Sequence, residues 1–328
     1  MGGIERISIS ENWTTVWGEE SVPMNYLQNL IELEGMMFLM IALGILSIRT
    51  GILSKKGRGE LTDLILYIIF PCYIVDCFIQ NIGAFSSGGF VAVAITSLVL
   101  QGGTILLSQL LYRKEAPGRR TILQYATIVS NSGFLGFPLV GSIFGAQGLI
   151  YASIFLIFQR INNFSVAISY FTSSEKKGVL RRTLSHPCIL STLIGVAIML
   201  LEWHPPVLLE NTLASIGACS TPLSMMLIGM VLADAGRGKY LDGTVARYSI
   251  LRLFLIPAGI FGLCKLLNYD SLVTGTSVLL SGMPAGTLSV MLGAKYEKDA
   301  AFASRLVIFT TAISLLTIPL WCLACIYL

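Results

Sequence analysis

Arg160 is the only charged side chain between Thr121 and Ser174, and Gln159, Asn162 and Asn163 surround it in an otherwise apolar run. A guanidinium presents parallel N–H donors that match the two oxygens of a carboxylate, so this cluster is suited to gripping an organic anion. Leaving such a cation bare among apolar groups is costly, and it therefore needs a partner. Two readings stand: contact with a substrate, or an internal role, either paired with Asp76 or capping loose carbonyls.

A second constellation consists of residues that break helices. The stretch "SNSGFLGFPLVGSIFG" (130–145) has four glycines and a proline inside a very apolar region, and "SGMPAGT" (281–287) repeats the theme. Proline removes a backbone donor and clashes with the preceding turn, so each stretch should unwind. In lipid, unwound backbone persists only where it is buried in protein or lines a wet cavity. Half-helices restarting at Pro138 and Pro284 would aim free N–H groups and a positive dipole end at that cavity, an arrangement that favours anions. Candidate substrate-binding residues are therefore Asn131, Ser132, Gly133, Gly136 and Pro138 at the first break. At the second they are Ser281, Gly282, Pro284 and Thr287, joined by Arg160 and Asn163; the side chains of Asn131, Ser132, Ser281 and Thr287 could equally hydrogen-bond the freed backbone. Asp76, five residues after Pro71, is the only carboxylate well inside an apolar segment and the candidate for proton coupling, unless it simply faces water.

These residues need helices in a membrane to hold them. Of the 328 residues, 54% are hydrophobic and 12% charged, with a mean hydropathy of +0.76, far from the roughly one-quarter charged composition of a soluble domain. Ten segments are long enough to cross a hydrocarbon core: roughly 27–48, 61–81, 89–112, 121–144, 148–171, 187–203, 212–233, 247–267, 271–293 and 304–327. The odd-numbered connections between them carry 18 of the 22 Lys and Arg residues, which places those connections in the cytoplasm and both termini outside. The net charge of +4 is thus a topology signal and leaves no nucleic-acid footprint. Arg252 and Arg305 lie near enough to the cytoplasmic face to snorkel toward headgroups. Membrane lipid is then a partner throughout.

Ten spans with both ends outside divide into two sets of five with opposite orientation. The prolines fit this division: Pro71 and Pro138 in one set are 67 residues apart, Pro222 and Pro284 in the other 62. Paired Gly/Pro-interrupted segments at matching positions of inverted halves point to a transporter binding site. The chain accordingly reads as an extracytoplasmic segment 1–24, a first five-helix repeat 25–171, a cytoplasmic connection 172–186 and a second, inverted repeat 187–328.

The stretches 130–151, "SHPCILSTLIGVAI" (185–198), "TPLSMMLIGMVLAD" (221–234) and 283–321, with "FPCYIVDCF" (70–78), resemble the auxin efflux carrier family, which includes bacterial organic-acid permeases and plant auxin exporters. The resemblance implies an all-α, ten-helix membrane fold of the sodium/proton-antiporter-like kind, with broken fourth and ninth helices that cross near the bilayer centre. It also implies a scaffold that holds a homodimer, a transport part that moves as an elevator, and small organic acids as substrates in the plasma (inner) membrane. Only residues 172–186 separate the halves, without the long hydrophilic loop of many plant members, which favours a microbial permease over an auxin exporter.

Other classes find less support. The seven cysteines fall inside apolar segments and suggest no disulfide framework. His186 and His204 stand at opposite membrane surfaces beside prolines, and no metal-binding, phosphate-binding or paired-carboxylate motif appears, so neither an enzyme nor a cofactor or metal is expected. A cation/proton antiporter of similar architecture would want acidic residues at the breaks, where this chain has Asn, Ser and Thr. A transporter-like sensor without flux fits the same residues.

Overall fold

The computed structural model describes residues 24–82, 87–167, 169–171, 185–233 and 242–327. All but the last residue of the N-terminal segment expected outside the membrane, and all but the last two residues of the connection 172–186, lie beyond them. The described residues are helical throughout, with one isolated antiparallel bridge. In order they form α1 (Met24–Arg49), α2 (Lys55–Leu64), α3 (Phe70–Ile79), α4 (Ser87–Leu111), α5 (Pro117–Ile128), α6 (Phe137–Asn162) and α7 (Pro187–Leu200). There follow α8 (Val207–Gly217), α9 (Ser220–Ala233), α10 (Gly243–Ile250), α11 (Ile256–Leu266), α12 (Ser271–Ser281), α13 (Leu288–Lys295) and α14 (Ala300–Tyr327).

Among the described residues six helices are long and apolar enough to cross a membrane: Gly57–Ile79, Gly88–Leu111, Ser132–Ala167, Val207–Ala233, Gly243–Leu266 and Ala300–Cys325; Gly35–Arg49, Pro187–Leu200 and Ser271–Ser281 are shorter apolar helices. Large apolar side chains such as Leu43, Leu98, Leu193 and Leu316 are exposed on their outer faces, as lipid contact requires. The stretch Ser132–Ala167 is really two arms. At Gly145 (φ 63°, ψ −157°) the backbone leaves helical geometry, and Leu149 comes back against Gly141.

Three prolines obey one local rule. Pro71, Pro138 and Pro257 each occupy the second position of an α-helix (α3, α6 and α11) that follows a five-residue π turn: Ile65–Ile69, Ser132–Gly136 and Leu251–Leu255. The widened turn makes room for the proline ring, and side chains of other helices take up the carbonyls that proline cannot serve. Cys188 Sγ donates to Leu66 O at 3.4 Å, and Trp321 Nε1 donates to Leu253 O at 2.8 Å.

α1 lies on α9, and α3 packs on α7 and α8. The first pair touches backbone to backbone: a Cβ at Gly229 would fall 2.0 Å from Ile41 O, so only glycine allows this approach. A second group comprises α4 with α5 and α6, α12 with α6, α11 and α14, and α13 with α14. At one end of this group, Arg119 at the start of α5 pairs with Asp242 (3.5 Å) and Asp299 (3.3 Å). These carboxylates also accept N–H bonds at the starts of α10 and α14. Three of the connections expected in the cytoplasm thus meet at one place.

Candidate functional site

Both interruptions anticipated from glycine and proline are present, and they meet. α5 ends at Ile128 and the chain resumes as a π turn at Ser132; α12 ends at Ser281 and α13 begins at Leu288. Ser130 and Ala285 form the antiparallel bridge, and Asn131 N donates to Pro284 O at 2.8 Å, so the two breaks cross in direct backbone contact. The restart points differ from expectation. Helical geometry begins six residues before Pro138 and four after Pro284, because the π turn absorbs the first proline and the second lies in the unwound stretch itself.

Side chains satisfy the backbone of the crossing. Gln159 Nε2 donates to Ser130 O at 2.9 Å, Ser132 Oγ to Leu280 O at 2.9 Å, and Ala285 N to Thr310 Oγ1 at 3.2 Å. Arg252, expected to snorkel toward headgroups, is instead 1% exposed and bonds Met283 O and Thr127 O. Its position in sequence suggested shallow depth, but the fold brings both breaks to it.

Beside the crossing opens a cavity of about 460 Å³. Asn131, Gly133, Arg160, Asn163 and Thr287 line it, together with Ser130, Gln159, Tyr125, Tyr67, His186, Gly286 and Lys295. The remaining sequence candidates do not reach it. Ser132 and Ser281 spend their hydroxyls on carbonyls (Leu280 O and Val278 O), and Gly136 lies under Leu280 and Met283. Pro138, at the second position of α6, and Gly282 and Pro284, in the unwound stretch after α12, are not among the lining residues. Asp76 is also elsewhere; it is 5% exposed, with Oδ2 accepting from Gln80 Nε2 at 2.8 Å and Oδ1 buried without a donor. Among the described residues Arg160 forms no ion pair with Asp76.

The chemistry of the lining is one-sided. Arg160 and Lys295 contribute cationic groups, and among the described residues no Asp or Glu lines the cavity. Arg160 Nη1 and Asn131 Nδ2 are buried donors without a protein acceptor. Unsatisfied buried donors cost about 1–3 kcal/mol each, more for a charged one, and a ligand with acceptor oxygens removes that cost. His186, stacked against Tyr67 and accepting from Cys188 N at 3.3 Å as the cap of α7, has its pKa lowered to about 4 by burial and then by the Arg160 charge. At neutral pH it is an uncharged wall beside the guanidinium.

Tyr125, His186 and Lys295 were not singled out as site residues from sequence. Tyr125 carries no signal in sequence, His186 stands beside a proline at a membrane surface, and Lys295 falls in one of the basic connections.

Comparison with known proteins finds membrane transporters. A family model described as membrane transport protein matches residues 35–180 and 172–322. An uncharacterized transporter of Methanothermobacter thermautotrophicus is 25% identical over 292 residues, covering 86% of this chain and 94% of the relative. A second, from Methanocaldococcus jannaschii, is 24% identical over 294 residues, with the same coverage. A Rhizobium meliloti protein named "putative malonate transporter" is 24% identical over 292 residues, covering 86% and 91%.

Proposed function

The chain belongs to the family of membrane transport proteins, and from that premise we propose that it is a secondary transporter carrying small organic anions, carboxylates above all, across the plasma membrane. The observation that carries the substrate class is the pair of unpaired buried donors, Arg160 Nη1 and Asn131 Nδ2, in a cavity that no carboxylate lines among the described residues. A carboxylate would take the guanidinium on one face and the Asn131 amide on another. The leading N–H groups of the helices restarting at Ser132 and Leu288 would favour its negative charge. The name of the Rhizobium relative supports the same class.

In this reading ten spans form two inverted five-helix repeats whose crossing helices carry the substrate, with both termini outside. The meeting of three basic connections around Arg119 supports that orientation. The group containing α4–α6 and α10–α14 would be the moving part of an elevator, with α1–α3 and α7–α9 as the scaffold of a homodimer. Asp76, with one buried oxygen lacking a donor, is the proposed proton-coupling group.

The test is thermal stabilisation of the purified protein by a panel of mono- and dicarboxylates, followed by uptake into proteoliposomes. A ligand selective for the folded state raises the melting temperature. Stabilisation and flux with at least one carboxylate are expected; response to sodium or protons alone would point to the cation antiporter and against this reading.

A further inference from the structure

Two side chains on the segment running from α10 into α11 reach the crossing from behind the cavity. Tyr248 donates its hydroxyl to Ala126 O at 2.8 Å. Arg252, four residues on, donates through Nε to Met283 O at 2.8 Å and through Nη1 to Thr127 O at 3.2 Å. Ala126 and Thr127 belong to the last turn of α5, whose carbonyls have no intrahelical donor, and Met283, two residues past the end of α12, presents a carbonyl of the unwound stretch itself. The first two mark the negative dipole end of α5, and the third stands beside that of α12.

Arg252 is among the largest fully buried side chains, and among the described residues no carboxylate is paired with it. A buried cation without a counter-ion is expensive, and the aligned carbonyls are what hold it. The opposite, positive ends of the restarting helices face the cavity with Asn131, whose side chain is 1% exposed and whose Nδ2 is unpaired.

We propose that Arg252 is the positioning residue of the crossing. Its guanidinium does there what a bound metal cation would do: it ties the two breaks together and cancels their negative ends, leaving the cavity under an excess of positive potential. Resting on the anion-carrier reading above, this adds that anion binding requires no sodium or other metal co-ion at the crossing, because the cation is a side chain.

The experiment compares the full-length wild type with Arg252→Lys, Arg252→Gln and Arg160→Ala, using malonate and a panel of other mono- and dicarboxylates as probes, with sodium and then with choline as the medium cation. Glutamine keeps a donor for the carbonyls but not the charge; lysine keeps the charge. The expected result is that Arg252→Lys binds within about tenfold of wild type and Arg252→Gln about a hundredfold more weakly, with ligand-free melting temperatures lowered to a similar extent in both, since each loses part of the tie between the breaks. Wild-type affinity should be unchanged in choline. A role confined to capping carbonyls would instead make glutamine as good as lysine, and that outcome overturns the proposal. So does a tenfold or greater loss of wild-type affinity in choline. Should the glutamine variant fail to fold, the choline comparison and the lysine variant decide, a folded lysine variant without binding counting against the charge. Binding that is lost in Arg160→Ala but kept in Arg252→Gln removes this inference alone, whereas a wild type that binds no carboxylate removes the anion-carrier reading beneath it.

Discussion

The Tyr125 hydroxyl donates to Oδ1 of Asn163 at 2.8 Å, and both residues line the cavity beside Arg160. The bond occupies the amide's acceptor and leaves its N–H₂ as the group available to a ligand. Tyr125→Phe should free the amide to rotate and weaken carboxylate binding by about three- to tenfold, in keeping with the roughly 1 kcal/mol net value of one hydrogen bond. Asn163→Asp should be far worse, because it puts a negative charge where a donor stood. Titrations of the two variants with the best carboxylate would check the order.

Arg160 has no ion pair with Asp76, so its removal leaves no orphaned carboxylate there. Arg160→Ala is expected to keep its melting temperature and lose measurable carboxylate binding. Arg160→Lys, with a point charge but no fork, should bind about 10- to 100-fold more weakly than wild type. A melting temperature that fell in both variants and recovered with Asp76→Asn would instead mark Arg160 as a structural counter-ion.

Gly286 and Gly133 separate stability from binding. A Cβ at Gly286 would stand 2.8 Å from Val129 O, inside the other break, so Gly286→Ala should lower stability by about 1–3 kcal/mol, read as a lower melting temperature. At Gly133 nothing lies within 4 Å of such a carbon, yet the residue lines the cavity. Gly133→Ala should melt like wild type and bind carboxylates less well.

His186 sets a pH dependence. Its folded pKa of about 4 lies below the ordinary value of 6.5, so between these the unfolded chain binds the extra proton. Stability should therefore fall as pH drops from about 6.5 toward 4, with no further loss from this group below that. His186→Asn keeps an acceptor for the α7 cap and cannot titrate. Its melting temperature should vary less across the same window, and equal slopes for the two proteins would rule the effect out.

The breaks were legible because Gly and Pro act locally: "GFLGFP" and "SGMPAG" state their conformational demand without reference to the rest of the chain. Arg160 was legible because it stands alone among apolar neighbours. Arg252 was not, since its depth estimated along the segment suggested a headgroup contact, and only the fold delivers Thr127 and Met283 to it. The four-residue spacing from Tyr248 was the available signal: two polar side chains on one face of an apolar helix. Ser132 and Ser281 stay ambiguous in sequence for a related reason. A serine beside a break can serve a ligand or the freed backbone, and which one it serves depends on carbonyls contributed by distant segments.

The π turns ahead of Pro71 and Pro257 also shift phase. Each holds one residue more than an α-helical turn, so the faces before and after it are rotated by about 100° from where an uninterrupted count of 3.6 residues would put them. A single helical wheel drawn through 57–79 or 243–266 therefore mixes two registers. Scanning these segments by thiol accessibility should yield two periodic patterns, offset by one residue at Ile65–Ile69 and at Leu251–Leu255, and any design that transplants either helix must carry the slip with it.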